Sequence, residues 1–143
     1  MSRPIKFRGQ PIDSGDWVYG YYVYTFEIGY NSQGYNDVPP RKHYIFGDSD
    51  DFCEVKPETV GQYTGLNDRN GKEIYEGDIV YIPQFDWTGY VVFTGDCQYV
   101  LKGKTELGND GYVLFTQIYL DECEVIGNIY EHPHLLKGDS TDE

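Results

Sequence analysis

The chain is poor in methionine and in basic residues, has no close pair of cysteines and contains no long apolar run, and each shortage removes a class of protein. Its 143 residues include one methionine, three cysteines and 11 Lys/Arg against 24 Asp/Glu, giving a formal charge of −13. Cys53, Cys97 and Cys123 are odd in number and far apart, which disfavours a secreted disulfide framework and a CxxC-type metal knuckle; they read as reduced thiols. The N-terminal stretch MSRPIKFRGQPIDSGDW lacks an apolar signal-type core. The longest uncharged, apolar-rich stretch, Trp17 to Phe26, is far shorter than the about 20 residues of a membrane span. A cytoplasmic protein without membrane contact is expected.

The shortage of lysine and arginine argues against direct nucleic-acid binding, because phosphate contacts rely on basic residues that displace condensed counterions. Residues 1–46 carry five Lys/Arg and four Asp/Glu, whereas residues 47–143 carry six and twenty. If nucleic acid is touched, the N-terminal segment is the expected contact; elsewhere the acidity keeps a small domain soluble. The phosphate loop GxxxxGK[ST], a GxGxxG after a strand, HExxH and GxSxG are all absent. Neither an NTPase motor nor a hydrolase is expected, and no catalytic or cofactor-binding residue is assigned.

Metal sites fare no better. A calcium loop beginning at Asp48 in Asp48-Ser49-Asp50-Asp51 would need glycine sixth and glutamate twelfth, where this chain has Cys53 and Thr59, so a solvated acidic turn is expected. His132 and His134 flank Pro133 and, even with Cys123, lack a fourth zinc ligand. No metal is expected. The cysteines read as small, partly buried residues of a β core, since none lies beside a recognisable base.

What the chain has in abundance is aromatic residues, 17% of the total with fifteen tyrosines, together with seventeen glycines and seven prolines. No window shows a sustained helical apolar stripe, and short Tyr/Val/Ile/Phe runs alternate with turn residues, which is an all-β pattern. Expected strands are Ile5 to Arg8, Trp17 to about Ile28, His43 to Phe46, Phe52 to Lys56 and Val60 to Thr64. An irregular loop is expected from Gly29 to Pro40. After the turn Asn67-Asp68-Arg69-Asn70-Gly71 come Asp78 to Ile82, Gly89 to Thr94, Cys97 to Leu101, Gly111 to Thr116 and Glu122 to Tyr130, with loops at Pro83 to Thr88 and Lys102 to Asp110. Five short strands in so few residues suggest a small SH3-like barrel over residues 67–136, preceded by a smaller β-rich N-terminal region over residues 1–66. Residues 137–143 read as a disordered tail. In Glu76-Gly77-Asp78, Asp78 is expected to bond local backbone amides as it launches a strand.

Several segments together resemble the YopX-like proteins of phages and bacterial prophages. They are Ile5-Lys6-Phe7-Arg8 with Trp17-Val18-Tyr19-Gly20, then Thr59-Val60-Gly61-Gln62-Tyr63-Thr64-Gly65-Leu66, then Asn70 to Val80 (NGKEIYEGDIV), and finally Glu124 to Glu131 (EVIGNIYE) with Pro133, Leu135 and Leu136. The segments follow the family's order, while residues 27–55 and 95–110 match no family pattern. The resemblance implies an SH3-like barrel after a smaller β-rich region, in a phage or prophage product acting in a bacterial cytoplasm, with a role around phage DNA packaging. It supplies no catalytic residue.

Aromatic side chains that a small fold cannot bury entirely are the candidates for recognition: Trp17, Tyr19 and Tyr21 on the long strand, and Phe85 and Trp87 in a loop beside Pro83 and Gly89. A non-catalytic module that binds a protein partner or itself is the expected function. The alternative is an acidic mimic of nucleic acid that occupies the basic groove of a host protein.

Overall fold

The computed structural model of the chain describes residues 5–13, 15–25, 29–30, 36–37, 42–47 and 52–136. The acidic turn at residues 48–51, most of the loop at 29–40 and the tail at 137–143 lie outside the described residues. Those described form an all-β protein of antiparallel strands, with only short 3-10 turns besides. Among them no helix is long and apolar enough to cross a membrane. The chain divides into two compact units at Gln62/Tyr63, within one strand.

The N-terminal unit contains β1 (Phe7–Gly9), β2 (Val18–Thr25), the two-residue pair β3 (Gly29–Tyr30) and β4 (Asn36–Asp37), β5 (Lys42–Phe46) and β6 (Phe52–Glu54). Its sheet runs β6-β5-β2-β1, and β1 pairs on its other side with Gly61 and Gln62 at the start of β7 (Gly61–Asn67). Strand alternation decides which residues are covered. One face carries Ile45 and Val55, both buried, with Phe7 and the half-buried Tyr22 beside them. The Tyr22 ring stacks on His43 at 5.8 Å, and its hydroxyl lies 2.6 Å from His43 Nδ1. Glycine at position 20 is what lets β2 and β5 pair: a Cβ there would stand 1.7 Å from the Phe46 carbonyl oxygen.

In the C-terminal unit, Tyr63 and Asn67 of β7 pair with Tyr75 and Glu73 of β8 (Glu73–Tyr75). There follow β9 (Asp78–Ile82), β10 (Trp87–Phe93), β11 (Tyr99–Lys104), β12 (Asp110–Leu114) and β13 (Glu124–Asn128), in the sheet order β12-β11-β10-β9-β13. Among the described residues this ladder is open, with β12 and β13 as its edges. Ile74, Val80, Ile82, Val91, Leu101, Ile118, Cys123 and Val125 form the buried core, and Leu66, Trp87, Tyr99 and Phe115 pack against it.

The turn after β7 forms as its sequence indicates. Gly71 takes φ +78°, and the Gly71 amide donates to the Asp68 carbonyl at 3.0 Å. Asp78 also behaves as expected, its Oδ2 accepting the Tyr75 amide at 2.7 Å.

Four assignments need correction. Glu73–Tyr75 is a strand that the sequence did not suggest. Trp87 and Thr88 belong to β10 rather than to a loop, because the turn closes quickly: the Phe85 amide donates to Ile82 and the Asp86 amide to Pro83, both at 3.2 Å. Lys102–Lys104 extend β11 rather than opening a loop. Cys97 starts no strand; it is exposed, at φ +65°, in a turn closed by the Thr94 amide on the Gln98 carbonyl at 2.7 Å. Of the three thiols only Cys123 is fully buried.

Candidate binding surfaces

The aromatic residues singled out in the sequence fall in both units, and each unit presents its own surface. In the N-terminal unit, Tyr19, Tyr21 and Val23 alternate onto the face of β2 opposite Tyr22, and all three are exposed. Cross-strand pairing extends that face, since Tyr21 is opposite Phe46 and Phe46 opposite Phe52. Tyr21 is 68% exposed, Phe46 37% and Phe52 58%, a row of three rings across three strands. The Phe46 and Phe52 rings stack at 5.1 Å, and Tyr44 meets Phe52 edge-on at 5.2 Å. Phe52 is thus braced by two neighbouring rings while it stays more than half exposed. Trp17 is placed differently: it is half-buried, with the guanidinium of buried Arg8 4.5 Å from its ring centre.

In the C-terminal unit a groove of about 610 Å³ is lined by Phe85, Trp87, Lys104, Glu106, Tyr112 and Leu136, among others. Its floor follows from two glycines. Gly89 and Gly103 face each other across β10 and β11, and a Cβ on either would fall 2.6–2.8 Å from the benzo ring of Trp87. The indole therefore lies across bare backbone, and its Nε1 donates to the Lys104 carbonyl at 2.8 Å. Trp87 is consequently half-buried, while Phe85 is 49% exposed at the mouth. Leu135 and Leu136, from the 3-10 turn Pro133–Leu136, complete the apolar lining.

Polar groups around the groove are mostly engaged. The Lys104 ammonium sits 2.9 Å from Asp110 Oδ1, with Lys102 3.8 Å from the other carboxylate oxygen. The Lys104 hydrogen bond and the charges of both lysines hold the Asp110 carboxyl below its ordinary range. Asp86 accepts the Tyr81 hydroxyl at 2.7 Å, which raises the Tyr81 pKa.

Residues weighed for chemistry serve the fold. His132 Nδ1 accepts the Asn128 amide at 3.2 Å, and its ring closes over Gly127. Burial, then the charges of Glu122, Asp121 and Asp68, push the Cys123 thiol up, so the thiolate is disfavoured. Among the described residues no group of three or more His, Cys, Asp or Glu is placed to hold a metal ion.

Sequence reasoning missed Phe46 and Phe52, whose alignment with Tyr21 depends on strand pairing. It also missed the glycine floor under Trp87, for which the recurrence of glycine at positions 89, 103 and 111 was the available signal.

The family described as YopX protein matches the chain over residues 6–137. Among solved structures, the crystal structure of protein EF1440 from Enterococcus faecalis is similar at 23% identity, with 95% of this chain and 100% of that chain covered and a TM-score of 0.44. No curated protein matches the chain.

Proposed function

The chain belongs to the YopX protein family, and on that premise we propose that it is a non-catalytic assembly module of a phage or prophage, whose copies associate through the aromatic face of the N-terminal unit. The row Tyr21, Phe46 and Phe52 supports this, because three neighbouring rings left in water gain from being covered. The lack of charge on β2 suits a second copy as the occupant. A chain of −13 repels itself, and copies meet most readily where charge is absent; β2 (VYGYYVYT) has no charged residue.

Size-exclusion chromatography with light scattering tests the proposal. The native chain is expected to run as a dimer or larger assembly, and Tyr21→Asp with Phe52→Asp as a monomer that still unfolds cooperatively. A native protein that stays monomeric at high concentration, or a variant that assembles as before, overturns it.

A second function, mimicry of nucleic acid toward a basic host protein, is supported by the C-terminal unit. Residues 63–143 hold five Lys/Arg against fifteen Asp/Glu.

A further inference from the structure

The two edges of the five-stranded sheet are built differently. Along β13 the register shifts between Val125 and Gly127, and the Val125 amide is taken by Asp68 Oδ2 at 2.8 Å. A bulge and a capped amide make that edge a poor template for another strand. Along β12 the register with β11 is unbroken from Lys104 opposite Asp110 to Val100 opposite Leu114, and the strand has neither proline nor lysine. Apart from the charge of Asp110 and a cap at Leu114, it lacks the bulge, proline and lysine that usually protect an edge.

Its outward groups follow from the hairpin that precedes it. The Thr105 amide donates to the Asn109 carbonyl at 2.8 Å, so those two residues are a hydrogen-bonded pair. Alternation then turns the N–H and C=O of Asp110, Tyr112 and Leu114 away from β11. The Leu114 amide is capped by Gln117 Oε1 at 2.8 Å. Asp110 and Tyr112 have no further strand beside them among the described residues. Four backbone groups thus form a short template on the rim of the Trp87 groove. The residue between them, Gly111, presents no side chain to block the way in.

The groove also has a preferred sign of charge. Lys104 in its lining and Lys102 beside it share Asp110, and with Asp86 and Glu106 the three carboxylates outnumber the two lysines around the rim. A second copy of this acidic unit would meet like charge here, whereas a basic side chain would find two carboxylates and an indole.

We propose that β12 accepts an extended segment of a partner protein as an added strand, with a basic side chain of that segment in the groove against Trp87, between Asp86 and Glu106. The site is separate from the aromatic face of the N-terminal unit and does not depend on self-association.

The test is an NMR titration of the isotope-labelled full chain with acetyl-Thr-Val-Thr-Arg-Thr-Val-Thr-amide. Two companion peptides are used: one with Glu replacing Arg, the other with alternate backbone amides methylated. The arginine peptide is expected to shift the Tyr112 amide and the Trp87 indole N–H. The glutamate peptide should bind at least about tenfold more weakly, and the methylated one should leave both signals in place. Tyr112→Pro removes an outward N–H without touching the ladder to β11, and should abolish the Trp87 shift; Glu106→Lys should weaken the arginine peptide. The proposal is overturned if the arginine peptide moves neither signal, if methylation leaves binding intact, or if arginine and glutamate peptides bind equally. The peptide comparison needs no variant to fold.

Discussion

Asp68 shows how one side chain ties distant parts of the C-terminal unit together. Its Oδ1 accepts the amides of Asn70 and Lys72, each at 2.9 Å, while Oδ2 accepts the Val125 amide, 57 residues further along. The same carboxylate therefore shapes a turn and stops the β13 edge. Burial acts to raise its pKa, but the amides of Val125, Lys72 and Asn70 and the Lys72 charge outweigh it and leave the pKa lowered. A lowered folded-state pKa contributes stability that is complete above the unfolded value of 3.8 and is lost as pH falls through the folded value. Asp68→Asn keeps one acceptor but aims a donor at a backbone N–H, at a cost of about 2–3 kcal/mol near neutral pH. Urea unfolding followed from about pH 7 down to about pH 2 should show the gap between native and variant narrowing below the unfolded carboxyl value. A gap that stays constant down the whole series would mean that the carboxylate charge contributes nothing.

At the scale of elements, local chemistry made some strands readable and long-range packing hid others. Asp78–Ile82 has the bounds its sequence suggests, because a glycine turn precedes it and a proline follows. Glu73–Tyr75 is not legible in the sequence because three residues between two turns give no periodicity to read; β7 across from it creates the strand. The alternation of Tyr19, Tyr21 and Val23 against Tyr22 and Tyr24 was legible as two faces. Which face is covered depends on Ile45 and Val55, contributed from elsewhere in the chain. Trp87 reads from sequence as a loop aromatic, because its seat is made by Gly103 of the next strand. Gly103→Ala tests that seat: the new methyl would lie 2.6 Å from both the Thr88 carbonyl oxygen and the Trp87 ring. Expected are a loss of about 1–3 kcal/mol and a shifted indole N–H signal as the bond to Lys104 breaks. Gly95→Ala, with nothing within 4 Å, is the control and should change stability by less than about 0.5 kcal/mol. Equal effects at the two positions would show that the indole does not rest on position 103.

For the whole molecule the governing quantity is charge, and salt separates the functions it permits. Association of two copies through uncharged, aromatic β2 has to overcome the mutual repulsion of two chains at −13. Screening removes that repulsion beyond about 8 Å at physiological ionic strength and about 3 Å near 1 M, while apolar burial is left intact. Self-association should therefore strengthen as salt is added. Mimicry of nucleic acid runs the other way, because fifteen carboxylates against five basic groups in residues 63–143 would hold a basic partner through the attraction that salt weakens. Chromatography of the protein with a basic host protein fraction, repeated from low to high salt, reads both trends at once. A mixed complex that dissolves as salt rises supports mimicry. One that survives unchanged near 1 M rests on apolar contact and sinks it, and a homo-oligomer that falls apart as salt rises is held by ion pairs rather than by the Tyr21, Phe46 and Phe52 row.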